Sequence, residues 1–114
     1  MRQAFLSLAT LMLVACSAEP LAINITASDK RSVVVPVGTE LDLITVTVGP
    51  GEYASPPAIS SDVLRFVTVQ YVGPFTPGGP RQQFRFVAVA KGGAIVRFHH
   101  TGNNADIADT VVVR

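Results

Sequence analysis

The sequence contains no tryptophan, a single cysteine and two histidines, and only 15% of its residues are charged. One cysteine forbids a disulfide within the chain, so the fold must stand on packing alone. The histidines are neighbours, His99 and His100, and successive side chains on a strand point to opposite faces. Without an HxH or CxxC spacing, the pattern offers no zinc or copper site. Serine hydrolase chemistry lacks its G-x-S-x-G elbow, since Ser55, Ser60 and Ser61 stand among turn residues. A glycosidase needs two carboxylates across a cleft. Here Asp29, Asp62 and Asp106 fall in turns and Glu40 and Asp42 at a strand start, where they solvate edges and cap turns. Gly78-Gly79 and Gly92-Gly93 precede no helix that could hold a phosphate. The reading is therefore of a chain that is not an enzyme and carries no cofactor.

An excess of basic charge is also missing. Removing residues 1–15 takes away Arg2 and no acid, leaving eight cations against eight acids in the remaining 99 residues. Nucleic-acid binding needs a basic surface, so that partner is excluded. An electrostatic membrane contact is excluded on the same ground.

What is present begins with an export pattern. Arg2 is followed by an uncharged apolar run from Ala4 to Ala15. That run is about 12 residues, against roughly 20 for a membrane-spanning helix, and it has the order of a secretory signal. It ends in Leu13-Val14-Ala15-Cys16, which resembles the lipobox of bacterial lipoproteins. The resemblance implies cleavage before Cys16 and a thioether-linked diacylglycerol on its sulfur. It also implies acylation, such as palmitate, of the new N-terminus. Several acyl chains hold a protein firmly to a bilayer, whereas one does not. Ser17 stands where an aspartate would resemble an inner-membrane retention signal. The expected location is therefore exported and membrane-anchored, at the outer membrane or periplasmic face if the organism has two membranes.

The organisation that follows is a signal peptide over 1–15, a lipid-anchored tether over 16–20 and one domain over 21–114. That length allows a single core. Its β-branched residues come in short runs between clusters of Gly, Pro, Asn and Asp, the pattern of strands and turns. Leu21, Ile23 and Ile25 alternate with polar or small residues. Ser32–Val35 follows, closed by Pro36 at an edge or strand end. Leu41–Val48 is expected to slip phase between Leu43 and Ile44 through a β-bulge. Tyr53–Ile59 is a poor strand broken by Pro56-Pro57. Val63–Val72 is the longest strand, and a loop is expected from Gly73 to Pro80. Gln83–Ala90 and Ala94–His100 flank Lys91-Gly92-Gly93, the strongest hairpin signal in the chain. Ile107–Val113 closes the domain. About seven strands with no helical period give an all-β fold. An immunoglobulin-like antiparallel β-sandwich is expected, with a partly open barrel as the alternative.

From Val33 to Arg114 the order of features resembles the chagasin-type inhibitors of papain-like cysteine proteases. The matching stretches are Val37–Leu41, Gly49–Tyr53, Val69–Tyr71, Thr76–Gly79 before Gln83–Phe86, and Lys91–Ala94 before Val96–Phe98. The resemblance implies an immunoglobulin-like domain with three loops at one end that wedge into a protease cleft. Mapped onto this sequence, the contact residues would be Glu52, Tyr53 and Ser55 in the first loop. Thr76, Gly78 and Gly79 would serve in the second, and His99, His100 and Thr101 in the third. The same framework is similar to bacterial Ig-like surface domains, which would make the chain a structural or adhesive envelope module. Either way the expectation is a lipid-anchored, non-enzymatic protein that binds another protein through loops at one end. Loops on a rigid scaffold are the usual seat of recognition.

Overall fold

The computed structural model describes residues 22–46, 50–76 and 79–114. Cys16, the signal segment and the tether lie outside the described residues. Eight strands run in the order β1 (Ala22–Thr26), β2 (Ser32–Val35), β3 (Glu40–Thr45), β4 (Ala58–Ile59), β5 (Leu64–Thr76), β6 (Gly79–Ala88), β7 (Gly92–His99) and β8 (Asp106–Val113). They form two four-stranded sheets, β1-β3-β6-β5 and β2-β8-β7-β4. The all-β sandwich is the expected fold class, with neither sheet closed into a barrel.

The core is the sum of the inward phases of both sheets. Leu41 and Leu43 on β3, Phe84 and Phe86 on β6, Val96 and Phe98 on β7, and Val111 on β8 have no exposed surface. Burying each such side chain is worth about 1.5–3 kcal/mol. Phe84 and Phe98, from opposite sheets, meet with ring centroids 4.8 Å apart. The N- and C-terminal strands are locked by parallel pairs, β1 on β3 and β2 on β8. Pro36 follows the end of β2, an edge strand, as its missing N–H requires.

Four local expectations are corrected. Lys91-Gly92-Gly93 is not a hairpin turn, because β6 and β7 belong to different sheets. It is a corner that carries the chain across the sandwich, and Gly92 takes it with φ of +138°. The stretch 73–80 is not a loop throughout: β5 continues to Thr76 and β6 starts at Gly79, so the true hairpin is this long ribbon. β3 carries no bulge, since its register with both β1 and β6 is unbroken. The inner position after Leu43 is held by Thr45, whose hydroxyl donates to the Gln82 carbonyl at 3.3 Å. The register shifts instead in β5, between Phe66 and Thr68 and again between Val72 and Thr76. The strands number eight rather than seven because Tyr53–Ile59 yields the two-residue β4 and a separate bridge from Tyr53 to His100.

Asp42 is the remaining correction, for it solvates nothing. It is 4% exposed, covered by Arg85, whose Nε and Nη2 donate to its two oxygens at 3.0 and 3.2 Å. Gln83 adds a third bond at 3.0 Å. The carboxylates of Asp42 and Glu40 raise the Arg85 pKa above its ordinary value, with the Asp42 hydrogen bond the largest cause.

Candidate functional site at the loop pole

β3 runs from Glu40 toward Thr45, and Thr45 lies beside Gln82, which lies beside Tyr71. The chain leaving β3, the far half of the β5–β6 ribbon and the turn between β7 and β8 therefore share one pole of the sandwich. The structure brings the first and third predicted loops into direct contact there.

Tyr53 is the pivot. Its ring is buried against Phe98 and His100, with centroids 6.2 and 4.9 Å away and both pairs near perpendicular. Burial pushes its phenol pKa up. Its backbone has no strand neighbour on the β6 side, and the Gln82 side chain supplies one. Gln82 Oε1 accepts from the Tyr53 N–H at 2.8 Å, and Nε2 donates to the Tyr53 carbonyl at 2.9 Å. Sequence reasoning missed Gln82. The available signal was its phase: it alternates with Phe84, Phe86 and Ala88, so a polar residue there must face inward and needs partners.

Residues 50–53 and 100–104 are knitted together on the other side. The Thr101 N–H donates to the Glu52 carbonyl at 2.8 Å. The Thr101 hydroxyl donates to the same carbonyl at 3.0 Å and accepts from the Glu52 N–H at 3.2 Å. The Ala54 N–H reaches the His99 carbonyl at 2.8 Å. His100 is buried, and its Nδ1 accepts from the backbone N–H groups of Gly102 and Asn103 at 3.1 and 3.3 Å. Asn104 closes this turn in the left-handed region at φ of +58°, a conformation Asn tolerates.

The remaining predicted residues are placed as follows. Glu52 is exposed, and its carboxylate accepts from the Tyr71 hydroxyl. That bond is the largest cause of the raised Tyr71 pKa. Ser55 is exposed and directly precedes Pro56 through a cis bond. Thr76 and Gly79 pair with each other at the ribbon's end, beyond Tyr71 on the same pole. Gly78 lies outside the described residues. His99 and His100 point to opposite faces as expected: His100 is 2% exposed, while His99 is exposed and meets Asp106 at 2.6 Å.

A groove of about 600 Å³ opens between β4 and the start of β5, lined by Ile59, Leu64, Phe66 and Val89 with Asp62 and Arg65 on it. Its single acid faces no second carboxylate among its lining residues, so it has no acid–base pair. Among the described residues, no three His, Cys, Asp or Glu side chains gather where they could hold a metal ion.

The class the fold defines is a two-sheet β-sandwich that gathers loop segments at one pole, a place where rigid scaffolds commonly carry variable loops. No family model matches the sequence, and no curated protein matches it. Solved structures do. The chain has the fold of the cysteine protease inhibitor EhICP2 from Entamoeba histolytica, with a TM-score of 0.63 at 14% identity over 85% of this chain and all of that one. Amebosin, solved in solution, matches with a TM-score of 0.57, also at 14% identity and the same coverage. At this identity the likeness defines the fold.

Proposed function

We propose that this chain is a non-enzymatic inhibitor of papain-like cysteine proteases that binds through its loop pole. The observation that carries the reading is the likeness to a cysteine protease inhibitor across the whole of that inhibitor's length. It gains support from the coming together of Glu52–Tyr53 and His99–Thr101, two of the three loop segments the sequence resemblance implies. The mechanism is steric: loops braced on a stiff sandwich fill the cleft and keep substrate out. Residues 22–114 carry both sheets and their shared core, so a soluble domain starting at residue 20 is the reagent of choice. Titrated against papain, it is expected to inhibit at micromolar concentration or below. Full protease activity at tens of micromolar inhibitor overturns the reading.

Export and anchoring belong to the same proposal. The signal segment directs the chain out of the cytoplasm, and lipid on Cys16 holds it at a membrane, the outer one where there are two. Replacement of Cys16 by Ser should abolish labelling by a radioactive fatty acid and leave the precursor uncleaved. An unchanged product removes the anchor.

A further inference from the structure

We infer that Gly102 is a positioning residue: it lets residues 50–53 seat on the 100–104 turn, so that both meet a partner as one preassembled ridge. The inference rests on the inhibitor reading for its partner, but its geometry stands apart from it. Backbone conformation is not what calls for glycine at 102, since it is Gly51 that takes a positive φ, +104°. What Gly102 provides is space. A Cβ added there would overlap the Pro50 carbonyl oxygen and stand 3.0 Å from the His100 ring. A Cβ on Gly51 would lie 2.7 Å from the Gly102 nitrogen. Pro50 and Gly51 thus pack so closely on Gly102 that neither glycine has room for a side chain.

That close approach places the other bonds. With Pro50 against Gly102, Glu52 and Thr101 exchange three hydrogen bonds. His100 then braces the turn from below through Nδ1. A ridge assembled before the encounter loses less conformational freedom on binding than two separate loops, which is the general source of preorganised affinity. The ridge also fixes the backbone of Glu52, whose carboxylate Tyr71 holds from the ribbon.

The test is Gly102→Ala in the soluble domain, read in two ways. Amide hydrogen exchange at Thr101 and Asn104 should accelerate at least tenfold, while β3, β6 and β7 keep their protection. Active-site titration should show a fully competent inhibitor whose association with papain is slowed tenfold or more. A merely structural defect would instead lower the active fraction. Gly93→Ala is the control, since nothing lies within 4 Å of its Cβ position. If Gly102→Ala fails to fold, Thr101→Val removes the hydroxyl bonds with little change in volume and should give the same exchange signature. Wild-type exchange at Thr101 and Asn104 in both variants overturns the ridge. A domain that never inhibits papain but shows the exchange change refutes the inhibitor reading alone.

Discussion

Gln82 and Asp109 show how far a single polar side chain can go when its strand phase turns it inward. Gln82 is 4% exposed and stands in for a missing strand by bonding both backbone groups of Tyr53. Gln82→Met keeps the shape and removes both partners. Leaving two buried backbone groups unpaired should cost about 2–4 kcal/mol in urea denaturation. An effect below about 1 kcal/mol would mean that Tyr53 finds its partners elsewhere. Asp109 is fully buried, with Oδ1 accepting from the Arg31 N–H at 3.2 Å and Oδ2 without a hydrogen-bond partner among the described residues. Burial is the main cause that raises its pKa, outweighing the backbone bonds that lower it. The folded state therefore binds this proton more tightly than the unfolded one. Its stabilisation is complete below the ordinary carboxylate value near about 4 and is lost as pH rises through the folded value. Lowering the pH from neutral toward the ordinary carboxylate value should raise the urea midpoint through this group. Asp109→Asn should flatten that slope, and an unchanged slope would assign the proton elsewhere.

At the scale of elements, alternation was legible and connection was not. Ile23 and Ile25, Val33 and Val35, and Val111 and Val113 sit on the inner faces that their period of two dictates. Asp109 is the polar member of the same phase as Val111, a signal of the same kind as Gln82. The corner at Lys91–Gly93 was misread because a glycine pair between two apolar runs looks alike whether the chain turns within one sheet or crosses to the other. Only the pairing of β6 with β3 and β5, and of β7 with β8 and β4, decides it. The ribbon was misread because Gly and Pro mark an edge strand as readily as a loop, and β5 is an edge. The adjoining of residues 50–53 and 100–104, about fifty positions apart, left no trace in local pattern. The corner yields its own prediction. Gly92 has φ of +138°, and a Cβ there would meet Val63 Cγ1 at 3.0 Å. Gly92→Ala should destabilise the domain by about 1–3 kcal/mol. Most of that should persist in a Gly92→Ala, Val63→Ala pair, because trimming Val63 relieves the contact and leaves φ unchanged. Full recovery in the pair would show that crowding, not backbone, sets the need for glycine.

At the scale of the molecule, the two ends of the sandwich carry different segments of the chain. β1 is parallel to β3 and pairs Ala22 with Glu40, so the described chain begins at the pole opposite Tyr53 and Thr101. The 89–91 corner sits at that same starting pole, since Ala88 pairs with Leu64 and Gly92 with Val113. Between Cys16 and Ala22 lie few residues, and six fully extended residues reach about 20 Å. A lipid on Cys16 would hold the domain by this pole and present the loop pole to whatever approaches from the far side. An anchored inhibitor needs that polarity, because a ridge turned toward the bilayer could not enter a protease cleft. The sequence has no tryptophan, so one introduced residue serves as the sole reporter. In acylated protein on vesicles that contain a quencher at the headgroup level, Lys91→Trp should be quenched clearly more than Ser55→Trp. Both should be unquenched when Cys16 is replaced by Ser and the protein is free in solution. Equal quenching at the two positions would mean that the domain lies on its side, and stronger quenching at Ser55 would turn the ridge toward the membrane.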